Sequence, residues 1–300
     1  MTGGIDGGFR PVAEWSASRR ALLARRLRAT VAGRARDSSR DGPLVRLTPG
    51  TERDPLFLVH AVSGTVHAYA RLATHLADAV TLYGIEAGGL ENGSEPRASV
   101  EDMASAYLQL IRHVQPHGPY RLGGWSMGGL VAFEMARQLQ TAGDEVALLT
   151  LLDTAFPDPS GPPLSDGVLA ASYAVNAAAS LGLPFDLPSG FSSWPLVRQL
   201  RWMSERLGLP GRGPGDQPEM VRHFAVFKAN VAAASRYRPR TVRAPTLVIG
   251  AASSPDHTAG WAGAVTGECT VVRVPGNHYT LLEPPQVEHV AVAMRAALPS

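Results

Sequence analysis

Residues 121–137 read RLGGWSMGGLVAFEMAR. The five residues Gly124-Trp125-Ser126-Met127-Gly128 fit G-x-S-x-G. In a chain this rich in glycine and serine that pattern arises by chance about 0.2 times, so the pentapeptide alone decides little. Its context decides more. Tyr120–Gly123 reads as a strand ahead of it, and Met127–Ala142 reads as a helix that stops at Gly143, a residue suited to end one. A serine between a strand and a helix sits on a tight, strained turn, where its hydroxyl is thrust outward. Glycines two residues to either side remove the Cβ atoms that would collide there. The free amides at the helix start also favour negative charge beside the serine.

Working outward, the chain alternates short apolar runs with helical stretches. Strands are expected at Leu56–Val59, Val80–Ile85, Val146–Leu152, Thr246–Gly250 and Thr270–Val274. Helices are expected at Val100–Val114 (capped by Ser99), Met127–Ala142 and Gln286–Ala297. Alternation of this kind means a mostly parallel sheet covered on both faces. The alternation fails between Ala155 and Pro218, which holds ten of the 24 prolines. From Ala155 to Leu200 only Asp158, Asp166, Asp186 and Arg198 are charged. Two helical windows lie within it, Ser165–Leu181 and Trp194–Leu207. An apolar insertion of this size is too long for an ordinary loop and reads as a lid over the site, at about residues 156–217.

A serine hydroxyl needs a base. Of nine histidines, His278 lies in the loop between the last strand and the last helix. Loops at the carboxyl ends of parallel strands share one crevice, so His278 can reach Ser126. His67, His75, His113, His223 and His289 precede or sit in helices and read as surface or packing residues. Two acids follow strands and can orient His278: Asp153, which ends an almost wholly apolar strand, and Asp256, in a more polar loop. Two amides must receive the developing negative charge. These are expected to be Met127 N–H and Val62 N–H, the latter in the loop His60-Ala61-Val62-Ser63-Gly64.

Composition narrows the class. The chain has 300 residues, 45% hydrophobic and 18% charged, and a net charge of +2. That fits one large globular domain and argues against a nucleic-acid binder. A single cysteine, Cys269, excludes an internal disulfide framework and cysteine-based zinc clusters. No secretory signal or long apolar run is evident, so a cytoplasmic protein away from the membrane is expected. Ten arginines fall between Arg10 and Arg46. Residues 1–50 read as a basic, partly helical leader: a solvated tether, or a docking element for an acidic partner. The hydrolase domain is expected over 51–300.

Three blocks, 121–137, Leu148–Pro157 (LLTLLDTAFP) and Val274–Pro285 (VPGNHYTLLEPP), together resemble the chain-releasing thioesterases of nonribosomal peptide and polyketide synthases. The resemblance runs from about Pro55 to Ala297. It implies an α/β-hydrolase fold with a helical lid and a serine hydrolase acting through an acyl-Ser126 intermediate. It also implies a triad of Ser126, Asp153 and His278, since in that family the acid occurs in an LLDT context. Stand-alone editing thioesterases use the later position, here Asp256. The second oxyanion amide of the family maps onto Val62, although the family often has Pro-Pro or Pro-Ala-Gly-Gly in that loop. No cofactor or metal is implied. The acyl chain arrives on the phosphopantetheine of an acyl or peptidyl carrier protein, and the leader resembles segments that join domains in such synthases. The outcome is hydrolysis, cyclisation or transfer. Three other readings use the same fold: a stand-alone editing thioesterase, a carboxylesterase or lipase on free esters, and a binding module without catalysis.

Overall fold

The computed structural model describes residues 43–48, 54–91, 94–158, 164–180, 186–207, 218–255 and 258–298. The first 42 residues of the expected leader lie outside these, as does Asp256. Seven strands form one sheet: β1 (Leu44–Arg46), β2 (Pro55–Val59), β3 (Thr81–Ile85), β4 (Tyr120–Trp125), β5 (Val146–Leu152), β6 (Thr246–Ala251) and β7 (Cys269–Val274). Their order is β1-β3-β2-β4-β5-β6-β7. All neighbours are parallel except β1 and β3, which run antiparallel. The helices are α1 (Ala70–Leu76), α2 (Val100–Val114), α3 (Met127–Thr141), α4 (Asp166–Ser180), α5 (Leu196–Leu207), α6 (Pro218–Arg236), α7 (Thr258–Ala264) and α8 (Gln286–Ala297). This is the expected α/β-hydrolase architecture. One boundary differs: β1 lies within the stretch read as leader, because Leu44–Arg46 completes the open edge of β3.

Two apolar clusters sandwich the sheet, and strand residues alternate between them. Phe57, Val59, Leu149, Leu151 and Val248 join α2 and α3 on one face. Leu56, Leu58, Leu148, Leu152, Leu247 and Ile249 join α1 and α8 on the other. Each such side chain contributes about 1.5–3 kcal/mol on burial, which is why these strands are apolar at nearly every position. Helix α2 begins where expected: Ser99 Oγ accepts the Asp102 N–H at 3.1 Å, a cap of about 1 kcal/mol. Helix α3 ends where expected, with Gly143 at φ +85°. Buried Glu134 on α3 accepts hydrogen bonds from Arg137 Nε and Nη2, at 2.8 and 2.7 Å, and from the Tyr237 hydroxyl at 3.1 Å. That pins the segment after α6 to the elbow helix.

Residues 164–221 form a compact unit of their own, and 43–158 with 222–298 form another. Within the smaller unit, Phe191 is buried between the rings of Trp194 and Trp202. The Arg198 guanidinium lies 3.9 Å from the Trp194 ring centre. Among the described residues no helix is long and apolar enough to cross a membrane.

Candidate active site

The turn from β4 to α3 is as tight as the sequence requires. Ser126 has φ 58° and ψ −127°, a conformation few side chains adopt. A Cβ on Gly124 would lie 2.2 Å from the Gly128 carbonyl carbon, and one on Gly128 would lie 2.3 Å from the Val59 oxygen. Only glycine fits at either position. The turn is anchored on both flanks. Ser126 N–H donates to Leu152 O at 2.9 Å. Trp125 N–H donates to the Tyr69 hydroxyl at 2.8 Å, which donates on to Val59 O at 2.6 Å.

His278 reaches this turn from the far end of the chain. Its Nε2 is 3.1 Å from Ser126 Oγ and its Nδ1 is 2.7 Å from Asp153 Oδ2. Sequence supplies the loop that carries it. Gly276 has φ +101°, and the Asn277 side-chain oxygen accepts the N–H groups of Tyr279 and Thr280 at 3.0 and 3.1 Å. The Trp125 ring covers the imidazole at 4.9 Å between centres.

Asp153 follows β5 with φ 42°, and its own N–H is tied to Ile249 O at 2.6 Å. Its carboxylate is almost fully buried. Burial alone would raise its pKa. Hydrogen bonds from His278, from Ala251 N–H at 2.9 Å and from Ser254 Oγ at 2.7 Å outweigh that and hold it below the usual carboxylate value. Asp256, the other acid expected from sequence, lies outside the described residues. Its neighbour Ser254 serves Asp153.

Met127 is the first residue of α3, and Val62 lies in the turn Ala61–Gly64 after β2, where Gly64 has φ +84°. The start of α3 abuts the end of β2 at Gly128. The turn is fixed at its first two carbonyls. Ala61 O accepts the Gly64 N–H at 2.9 Å and lies 2.7 Å from His60 Nδ1. Val62 O accepts the Asn230 side-chain amide at 3.0 Å. Sequence reasoning missed Tyr69, His60, Asn230, Ala251 and Ser254, since each meets its partner only through the fold.

The family model described as Thioesterase domain matches residues 54–298. The chain is 28% identical over 264 residues to a dimodular nonribosomal peptide synthase of Bacillus subtilis, covering 85% of this chain and 11% of that protein. It is 30% identical over 251 residues to a probable non-canonical nonribosomal peptide synthetase, CymA, of Salinispora arenicola, covering 80% and 3%. The chain thus spans only a small part of these curated relatives. Among solved structures, the NocB thioesterase domain in covalent complex with a fluorophosphonate nocardicin G analog is 27% identical with a TM-score of 0.63, over 86% of this chain and all of that one. A four-domain nonribosomal peptide synthetase bound to AMP and glycine superposes with a TM-score of 0.78 at 27% identity, over 86% of this chain and 20% of that one. With the elbow, the sheet and the match over 54–298 in agreement, the chain belongs to the thioesterase domain family.

Proposed function

We propose that this enzyme releases an acyl or peptidyl chain from the phosphopantetheine thioester of a carrier protein, through an ester on Ser126. The connected line Ser126–His278–Asp153, on a thioesterase-family fold, carries this reading. Ser126 Oγ attacks the thioester carbonyl while His278 Nε2 takes its proton. Asp153 holds the Nδ1–H and stabilises the imidazolium. The N–H groups of Val62 and Met127 receive the oxyanion. The carbon–sulfur bond then breaks, and His278 returns the proton to the departing thiolate. Water, or an amine or hydroxyl, next gives its proton to His278 and attacks the acyl-Ser126 ester; the bond between the acyl carbon and Ser126 Oγ then breaks, and His278 returns the proton to Ser126. The products are an acid, a macrocycle or a conjugate.

In this reading the insertion at about residues 156–217 serves as the lid, and the scarcity of charge from Ala155 to Leu200 favours excluding water from the acyl-enzyme. The basic leader recruits an acidic carrier. A truncation that tests this removes residues 1–42, because a cut at 50 would take β1 with it. Such a truncation is expected to lower kcat/KM for a carrier-bound thioester at low salt and to spare a small soluble thioester.

The first experiment is fluorophosphonate labelling with the adduct mapped by mass. Modification is expected at Ser126, and labelling elsewhere would sink the mechanism. The second compares an acyl-carrier thioester with the p-nitrophenyl ester of the same acyl group. A preference for the free ester would make the protein a carboxylesterase instead.

A further inference from the structure

We infer that His60 is a positioning residue for the oxyanion amide: locked by Tyr107, it grips the Ala61 carbonyl and so aims the Val62 N–H. This rests on the function proposed above and adds to it a residue that touches no reacting atom.

The argument begins with the peptide bond between Ala61 and Val62. A trans peptide is planar, with its C=O and N–H pointing opposite ways. Whatever holds Ala61 O therefore fixes the direction of Val62 N–H. Two donors hold that oxygen: the Gly64 N–H at 2.9 Å and His60 Nδ1 at 2.7 Å. A carbonyl oxygen only accepts, so Nδ1 must carry the ring's proton.

His60 is fully buried, and burial lowers its pKa to about 4. The ring is thus neutral at working pH, and Nε2 is left as an acceptor. The Tyr107 hydroxyl lies 2.7 Å from Nε2 and donates to it. The Gly88 amide beside that hydroxyl can satisfy its lone pair, and the two rings meet edge to face at 5.7 Å. Tyr107 therefore selects the tautomer and His60 applies it. Both ring nitrogens of a buried histidine need partners, and here one of them is the carbonyl whose peptide carries the Val62 N–H. Asn230 ties down the next carbonyl, that of Val62, so the amide between the two tethers has one direction left.

Four proteins test this: wild type, His60→Leu, His60→Asn and Tyr107→Phe, assayed with a small N-acetylcysteamine thioester. Asparagine places an N–H donor close to the position of Nδ1, whereas leucine fills similar space without one. In His60→Leu, kcat is expected to fall about 10- to 100-fold, less than the loss on deleting an oxyanion donor outright. KM should stay within roughly twofold. Affinity for the matching acyl trifluoromethyl ketone, whose serine adduct bears the oxyanion, should fall in step with kcat. His60→Asn is expected to recover most of both losses. Tyr107→Phe should lower kcat several-fold with KM unchanged, and it carries the test if His60→Leu does not fold.

Wild-type kcat in Tyr107→Phe, or His60→Asn without activity and ketone affinity above those of a folded His60→Leu, would overturn the inference. So would a loss confined to KM. Failure of the wild-type protein to turn over the thioester, or to be labelled at Ser126, would instead overturn the proposed function.

Discussion

Ser254 Oγ donates to Asp153 Oδ2 at 2.7 Å, the same oxygen that faces His278 Nδ1. One carboxylate oxygen thus serves both the imidazole and the loop after β6. The hydroxyl stops the carboxylate from rotating away and helps keep it ionised. Ser254→Ala is expected to weaken that anchor by about 1 kcal/mol. It should lower kcat several-fold and raise the Asp153 pKa from its depressed value toward the ordinary one. NMR titration of the Asp153 carboxyl in both proteins checks the second expectation. An unchanged titration would show that Ala251 N–H and His278 suffice.

Asn230 offers a second test, on the other side of the site. Its amide is the hydrogen-bond donor to Val62 O among the described residues, and Asn230 is buried on α6. Asn230→Leu keeps the volume and leaves that carbonyl unsatisfied. The expected cost is about 1–3 kcal/mol of stability, with a fall in kcat and little change in KM. Urea unfolding and steady-state kinetics on the same preparation separate the two effects. A stability loss with wild-type kcat would mean that the turn holds its shape without this tether.

The elbow allows a structural prediction. Gly124→Ala would set a Cβ 2.2 Å from the Gly128 carbonyl carbon, and backbone on both sides leaves nothing soft to yield. The expected outcome is a loss of soluble protein, or a fall of more than about 3 kcal/mol in stability, comparable with the largest core substitutions. Thermal unfolding of any soluble fraction measures it.

Acid should unfold the protein through His60. The folded histidine binds its proton near pH 4, and the unfolded one near 6.5. As pH falls below 6.5 the unfolded chain takes up a proton that the folded one refuses, so stability drops. The loss reaches its full size below about pH 4, where it amounts to about 3 kcal/mol. Asp153, with a depressed pKa, adds loss in the same direction as it is protonated at lower pH. His60→Asn should flatten the part of the curve between pH 6.5 and 4, which chemical denaturation at a series of pH values can follow.

Much of the core was legible because its signals are local. The cap Ser99, the stop at Gly143, the run VALLTLL and the glycine spacing around Ser126 each act within a few residues. β1 was hidden because three residues carry no periodicity, and Leu44–Arg46 is a strand only because β3 lies beside it. Helix α6 was hidden by alanine, arginine and histidine around a weak apolar stripe. The tethers were hidden for a different reason. Asn230 and Val62 are 168 positions apart, so no spacing in the sequence marks them as partners. Residue type alone left Asp153 and Asp256 as alternatives. The 2.7 Å contact with His278 comes from Asp153, at the end of a strand whose neighbours fix its backbone on both sides.

The sheet edge has an evolutionary consequence. Ser126, Asp153, and Ala251 with Ser254 sit at the ends of three adjacent strands, β4, β5 and β6. Asp153 takes its hydrogen bonds from residues 251, 254 and 278, and His278 bridges it to residue 126. The stretch from 164 to 221 belongs to the other compact unit. A recombination event with one breakpoint near each of those positions would replace everything between them and leave the reacting serine in its setting. Such an exchange would leave the hydrogen-bonded line from residue 126 through 278 to 153 unchanged.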